Sequence, residues 1–233
     1  MDFSVLPDDH PYFASCRQGQ LSEIEGFFRN GISVYACGDC LESPALIYAI
    51  DQRNTQFLDL LIRYGLDVNL RNGELQMNAL LMAMERRDLV TARFLIERGA
   101  EVNASNLAEL TPFLYAAAIG DVEFLEYLLG AGAFESAADC RGRNALGYAC
   151  EENCLGAAKW LFERGAVVNV RYGDGECPLI VATKKNRPLI VEWLLSVGAD
   201  RSAVDNDGKA AADFAKELKF DEVKKILSAA DGK

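Results

Sequence analysis

The sequence predicts an all-α fold, a solenoid of stacked helix pairs, from three observations. A small residue followed 16 positions later by a glycine recurs along the chain, and successive copies lie 34 and then 33 residues apart. Helix start and stop signals accompany the copies. One helix pair cannot bury its own apolar face, so several copies must pack side by side. The recurring pairs are Ala49 with Gly65, Ala83 with Gly99, Ala116 with Gly132, Ala149 with Gly165, and Ala182 with Gly198.

Residues 106–136 show this pattern most clearly. Thr111 is a good helix cap, and Pro112 suits the first helical position because its missing N–H costs nothing there. Gly120 interrupts the helix, and Gly132 tolerates the left-handed conformation that ends the next one. The second helix places four large apolar residues on one face, namely Phe124, Leu125, Leu128 and Leu129.

Two sequence motifs connect this pattern to a known family. One copy reads T-P-F-L-Y-A over 111–116, and another reads C-P-L-I-V-A over 177–182. A closing G-x-x-V-N motif occurs at 65–69, 99–103 and 165–169. With a period of about 33 residues, the chain resembles the ankyrin-repeat family over nearly its whole length. The resemblance implies a solenoid of helix-turn-helix pairs with projecting β-hairpin-like fingers.

The repeats divide the chain into seven consecutive copies within one expected domain, 1–233. Polar residues predict that the first and last copies are caps, as a solenoid needs at its ends. The N-terminal cap is expected at 1–34, the C-terminal cap at 203–233, and the internal repeats at 35–69, 70–103, 104–136, 137–169 and 170–202.

The histidine of the family motif is absent from every copy. We therefore expect the usual side-chain hydrogen bonds between repeats to be missing or replaced. The residues in its place are Phe13, Ile47, Leu81, Leu114, Gly147, Ile180 and Asp213.

Charge argues against a nucleic-acid partner. The net charge is −11, whereas binding to phosphates depends on Lys and Arg. The excess of acidic residues lies before residue 137, in a segment that contains 20 acidic and 9 basic residues. This acid either maintains solubility or steers a basic protein surface towards the chain.

The sequence predicts a cytoplasmic protein without a membrane span. No run approaches the roughly 18 apolar residues that a span requires, and the first residues lack the pattern of a secretory signal. The 7 cysteines, an odd number, then indicate reduced thiols. Cys37 and Cys40 form a C-x-x-C motif, but zinc would need two further ligands. We expect neither a metal nor a cofactor.

The chain offers little for catalysis, so we do not expect an enzyme. Its single histidine, His10, lies in the N-terminal cap. Glu151 and Glu152 are adjacent, and neighbouring residues on a helix do not face each other. The short Gly173–Gly175 stretch lacks the lysine of a phosphate-binding loop.

Binding residues are expected on the first helices and the fingers. In ankyrin proteins these parts form a concave groove in which protein partners usually bind. At the second and third positions after each anchor, six of seven copies carry a polar residue, whereas the fourth copy has Ala118 and Ile119. The fingers around it add apolar residues, an arrangement typical of a binding hot spot. These are Leu75, Met77, Leu107 and Leu110.

Tyrosine precedes the anchor in three copies, at Tyr48, Tyr115 and Tyr148. These rings either line the groove or fill the core between repeats, since tyrosine can bury its ring and still offer a hydroxyl.

The sequence thus predicts a monomeric, non-catalytic scaffold that binds a protein partner with a basic surface. The alternative is an inhibitor or immunity protein that occludes a basic site on an enzyme or toxin. The predicted contact residues are Tyr48, Asp51, Leu75, Met77, Glu85, Leu107, Leu110, Tyr115, Ile119, Tyr148, Glu151 and Glu152.

Overall fold

The computed structural model describes residues 5–37, 43–71, 73 and 75–229, and the regular elements found there are α-helices. Fourteen helices in this part of the chain form seven consecutive pairs, which confirms the predicted all-α fold of helix pairs. The chain has two compact units, Met1–Ala108 and Glu109–Lys233. The single domain expected over 1–233 stays a prediction.

The first unit contains three helix pairs. The first helices α1, α3 and α5 pack in that order, and the second helix of each pair packs against its own partner. The bounds are α1 Pro11–Gln18, α2 Leu21–Arg29, α3 Pro44–Asp51, α4 Thr55–Arg63, α5 Ala79–Glu85 and α6 Leu89–Glu97.

The second unit contains four helix pairs stacked in the same way. Its first helices α7, α9, α11 and α13 pack in sequence. The bounds are α7 Pro112–Ile119, α8 Val122–Gly130, α9 Ala145–Glu151, α10 Leu155–Glu163, α11 Pro178–Lys184, α12 Pro188–Ser196, α13 Ala211–Glu217 and α14 Asp221–Ala229.

The predicted helix signals are confirmed. The Thr111 hydroxyl accepts the N–H of Leu114 at 3.4 Å, and Asn78 and Asn144 cap α5 and α9 in the same way. Gly120 ends α7 in the left-handed conformation, with φ of 86°, a geometry that strains most other residues.

The anchor residues confirm why the period is so regular. Ala49, Ala83, Ala116, Ala149 and Ala182 are all fully buried, so a larger side chain at any of them would separate neighbouring helices. Cys16 and Cys150, which follow the same anchor position, are also buried as small core residues. Burial raises the pKa of the Cys16 thiol to about 12.

The predicted fingers are short hairpins in the second unit. The carboxylate of Asp139 accepts the N–H groups of Arg141 and Arg143 at 2.9 and 2.8 Å, and Ala138 pairs with Asn144 in an antiparallel bridge. Asp205 forms the equivalent turn with Asp207 and Lys209.

Asparagine provides hydrogen bonds between repeats in place of the missing histidine. Asn69 donates to the carbonyl of Gly99 at 3.2 Å and accepts the N–H of Glu101 at 2.8 Å. Asn169 makes the same two bonds with Gly198 and Asp200. Asn69 and Asn169 therefore each join one repeat to the next.

Three sequence predictions extend beyond the described residues. The C-x-x-C motif ends at Cys40, which lies outside them, as do 1–4 of the N-terminal cap and 230–233 of the C-terminal cap.

Candidate functional site

The apolar finger residues of the first unit reach the surface. The side chains of Leu75 and Leu107 are 55% and 65% exposed. The Leu107 N–H donates to the Leu75 carbonyl at 3.2 Å, so the two exposed leucines lie on neighbouring fingers. We call this pair the finger-tip surface.

The finger-tip surface has a well-connected base. Met77 is buried, and its sulfur accepts a hydrogen bond from the Asn106 amide at 3.7 Å. The Arg71 guanidinium donates to the carbonyls of Ser105 and Gln76 at 2.6 and 3.2 Å. These contacts hold the two fingers together, so the leucines are presented on a supported frame.

The acidic residues predicted on the first helices of this unit share one arginine. Asp51 accepts from Arg86 at 2.6 Å, and Glu85 lies 3.6 Å from the same guanidinium. Both acids are exposed, whereas Tyr48 on α3 is half-buried. A basic partner would therefore compete with Arg86 for these carboxylates.

In the second unit, the predicted apolar residues are half-buried. Leu110 precedes the cap of α7, and Tyr115 and Ile119 lie on the helix itself. Part of each side chain therefore remains available at the surface.

The tyrosine and acids of α9 have internal partners. The Tyr148 hydroxyl donates to the Asp139 carboxylate at 2.7 Å, and burial, followed by this hydrogen bond, raises its pKa. Glu151 is half-buried and accepts from Lys185 at 2.8 Å, whereas Glu152 is exposed.

Sequence reasoning missed a charged cleft in the second unit. Its volume is about 410 Å³, and fingers and first helices contribute to its lining. Arg143 ion-pairs with Glu151 and lies 3.3 Å from the Glu176 carboxylate, which also pairs with Lys184.

Arg143 lies at the centre of this network. Its guanidinium is 5.9 and 5.8 Å from the ring centroids of Tyr148 and Tyr172, within the range of cation–π attraction. Burial alone would lower the pKa of the Arg143 guanidinium. The nearby charges of Glu151 and Glu176 outweigh burial, so the pKa is raised above its ordinary value. The arginine is therefore held charged in a largely buried position.

A signal for this network was present in the sequence. The residue before the first-helix cap is Arg143, Glu176 and Lys209 in three successive repeats. The opposite charges of Arg143 and Glu176 at equivalent positions of adjacent repeats indicate the ion pair between them, whereas Lys209 pairs with Glu217 in its own repeat.

The described residues hold no group of three or more His, Cys, Asp or Glu side chains that could bind a metal ion. His10 instead accepts the N–H of Tyr12 at 3.1 Å and caps α1. Within the same residues, no helix is both long and apolar enough to cross a membrane.

Stacked helix pairs joined by fingers define a class of helical repeat protein, in which variable surface residues lie on a regular frame. A family model for ankyrin repeats matches residues 80–129 and 146–195. The solved ankyrin repeat protein EF0377 is 30% identical, with a TM-score of 0.63, and the match covers 78% of this chain and 96% of that protein. The chain belongs to the ankyrin-repeat family.

Other similar proteins agree with this assignment. An ankyrin repeat domain from Acinetobacter baumannii AYE is 28% identical with a TM-score of 0.63, over 81% of this chain and 98% of that domain. Two curated relatives match shorter segments. The L-asparaginase of Dirofilaria immitis is 38% identical over 85 residues, which are 36% of this chain. The NF-kappa-B inhibitor delta of Mus musculus is 46% identical over 43 residues, 18% of this chain.

The chain spans only a small part of these curated relatives, 14% of the L-asparaginase and 13% of the inhibitor. Ankyrin repeats are generally protein–protein interaction modules, and their fold is typically non-catalytic.

Proposed function

We propose that this chain is a non-catalytic module that binds a protein partner on the face formed by its fingers and first helices. The finger-tip surface carries this proposal, because Leu75 and Leu107 are neighbouring, large, apolar and mostly exposed. Burying such surface stabilises a complex by about 25 cal/mol per Å².

The base of the finger-tip surface supports a binding role. Arg71 and Met77 connect the neighbouring fingers that carry the leucines. The fingers therefore lose little conformational freedom when a partner binds. Rigid apolar anchors lose less conformational entropy on binding than flexible ones. The half-buried Tyr115 and Ile119 are the corresponding candidates in the second unit.

Charge favours a basic partner. The chain carries a net charge of −11, and the acids Asp51, Glu85 and Glu152 are exposed. Such a charge accelerates encounter with a basic surface at low salt, even where individual acids already have internal partners.

The test is affinity capture from native lysate with three forms of the chain as bait. We expect Leu75→Ser/Leu107→Ser to lose the partner and Val90→Ser to retain it. Val90 is a matched control because it is 73% exposed in the same unit but lies on the second helix α6. If both variants retain the partner, the partner does not bind at the finger tips.

An inhibitor that occludes a basic site on an enzyme or toxin is the second candidate. The similarity to an NF-kappa-B inhibitor over 43 residues and the net negative charge favour it. Titration of the chain into the captured partner separates the candidates. An inhibitor abolishes the partner's activity at an equimolar ratio, whereas a scaffold leaves the activity intact.

We also propose that the chain acts as a monomer in the cytoplasm. Sedimentation velocity at several concentrations tests the first point, since a dimer would sediment faster as concentration rises. Cell fractionation tests the second.

A further inference from the structure

The turn that follows the second helix has the same backbone in several repeats. The residue two positions after the closing glycine uses its backbone carbonyl to accept a hydrogen bond. The donor is the N–H of the residue three positions further along the chain. This bond measures 2.9 Å from Ser33, 3.0 Å from Asp67 and from Glu101, 3.1 Å from Phe134 and 3.3 Å from Asp200. The turn therefore has the same backbone hydrogen bond at each of these positions, and a polar side chain there can cap it in the same way.

Three of the six repeats with a closing glycine place a capping side chain at this position. The side-chain oxygens of Ser33, Asp67 and Asp200 each accept the N–H two residues later, at 3.1, 2.9 and 2.9 Å. Such a bond fixes the turn locally. The preference for Ser or Asp thus has a direct structural reason.

Two adjacent repeats depart from this preference. They carry Phe134, whose turn has this backbone bond, and Val167 at the equivalent position of the next repeat. Neither side chain can accept the capping hydrogen bond, and they are 65% and 62% exposed. Neither residue is used to fill the core. Giving up a turn-stabilising bond for exposed apolar surface is a cost to folding, which indicates selection for another purpose.

A groove of about 440 Å³ within the second unit lies next to these two residues, which are not themselves part of its lining. Its lining includes Glu135 and Ala166, the immediate neighbours of Phe134 and Val167, as well as the buried Leu146 and Leu161. An apolar side chain entering the groove would contact these leucines.

Residue types common at binding hot spots continue this surface. The Arg164 guanidinium pairs with Glu135 at 2.7 and 3.2 Å and lies 4.9 Å from the centroid of the Trp160 ring. Trp160 in turn donates to Glu126 at 3.2 Å. Tryptophan and arginine are enriched where partners bind most strongly.

The charge that α8 adds beside the groove is acidic. The two charged residues of the groove lining, Glu135 and Arg164, pair with each other. The acids Glu123 and Glu126 of α8 are exposed, and α8 packs against α10, the helix that carries Trp160. Complementarity therefore favours a ligand with positive charge beside its apolar group.

We infer that Phe134, Val167 and the groove beside them bind a short segment of a protein partner that carries a bulky apolar side chain next to Lys or Arg. This surface shares no residue with the finger-tip surface, and the inference does not depend on it.

The test uses a displayed library of random short peptides. The library is first depleted on immobilised Phe134→Asn/Val167→Asn and then enriched on the unmodified chain. The side-chain oxygen of asparagine can accept the capping hydrogen bond from the N–H two residues later, which Phe134 and Val167 cannot. The double variant is therefore expected to fold. Leu189→Asn is the matched control, because Leu189 is 58% exposed on α12 of the same unit.

We expect enriched peptides that combine a bulky apolar residue with Lys or Arg. Their dissociation constants should be equal for the unmodified chain and Leu189→Asn, about tenfold or more higher for the double variant, and higher again at raised salt. In the unmodified chain, a bound peptide should slow amide exchange at 134–137 and 166–169. Failure to enrich any peptide, enrichment of acidic peptides, or equal affinity for the double variant would overturn the inference.

Discussion

The residue before the first-helix cap differs between α5 of the first unit and α9 and α11 of the second. Before α5 it is Met77, which is buried and contacts the Asn106 amide through its sulfur. Before α9 and α11 it is Arg143 and Glu176, which lie 3.3 Å apart across adjacent repeats. Apolar and amide contacts therefore join the fingers at α5, whereas ion pairs join those at α9 and α11.

This difference has a consequence for binding. The acids of the charged cleft have internal partners, since Arg143 and Lys185 engage Glu151 and Lys184 engages Glu176. The finger tips of the first unit instead expose two leucines. The comparison suggests that charge at these fingers serves mainly the fold, and that apolar finger tips serve binding.

Removing Glu176 should produce the largest loss of stability. Glu176→Ala leaves Arg143 largely buried with one partner fewer, and we expect the free energy of unfolding to fall by about 2–3 kcal/mol. Urea unfolding followed by tryptophan fluorescence measures this, because both tryptophans, Trp160 and Trp193, lie in the second unit.

Glu217→Ala is the control for that measurement. Glu217 pairs with Lys209 at 2.8 Å, but both side chains are substantially exposed. Its removal should cost less than about 0.5 kcal/mol. Equal losses for the two variants would show that the ion pairs of Glu176 contribute no more than a surface pair.

Gly147→Ala should have the next largest effect. An added Cβ would lie 2.5 Å from the Tyr172 hydroxyl and 2.6 Å from Cγ of Arg143. We expect a loss of about 1–3 kcal/mol from overpacking. Gly156→Ala in α10 is the control, because a Cβ there meets nothing within 4 Å, and it should be neutral or stabilising by up to about 1 kcal/mol. Similar results for both glycines would mean that Tyr172 does not fill the space beside Gly147.

Acid should weaken the charged cleft. Burial raises the pKa of Glu151, but the hydrogen bond from Lys185 and the charge of Arg143 outweigh burial and lower it below its ordinary value of 4.5. The carboxylate therefore stabilises the fold above about pH 4.5, and this contribution is lost as the pH falls through the folded-state pKa. Unfolding of Glu151→Gln should depend less on pH between 5 and 3 than unfolding of the unmodified chain. Parallel pH curves would contradict the assignment.

The smallest change in stability is expected at the finger tips. Leu75→Ser/Leu107→Ser alters exposed side chains and should change the free energy of unfolding by no more than about 0.5 kcal/mol. Urea unfolding followed by circular dichroism tests this. A larger loss would mean that the leucines support the fold rather than a partner.

Much of the fold was predictable because it follows from local rules that recur. The buried anchors such as Ala116, the caps Asn78 and Asn144, and the stop at Gly120 were all identified from the sequence and confirmed. Each of these features occurs several times at a regular spacing. The helices that they begin, end or pack can therefore be predicted without knowledge of tertiary contacts.

The sites were harder to predict because contacts between repeats decide them. Met77 and Leu75 are two residues apart, yet one is buried and the other is exposed. Gly147 occupies the place of the family histidine because Tyr172, from the next finger, fills the space. Composition alone likewise gave no indication that Glu151 is already paired with Lys185.

The most direct test of this account is the dissociation constant of the captured partner for the unmodified chain and for Leu75→Ser/Leu107→Ser, measured by isothermal titration calorimetry. We expect the constant to rise by about tenfold or more for the double variant, while its free energy of unfolding stays within about 0.5 kcal/mol of that of the unmodified chain. An unchanged constant would contradict the claim that the exposed leucines of the finger-tip surface bind the partner.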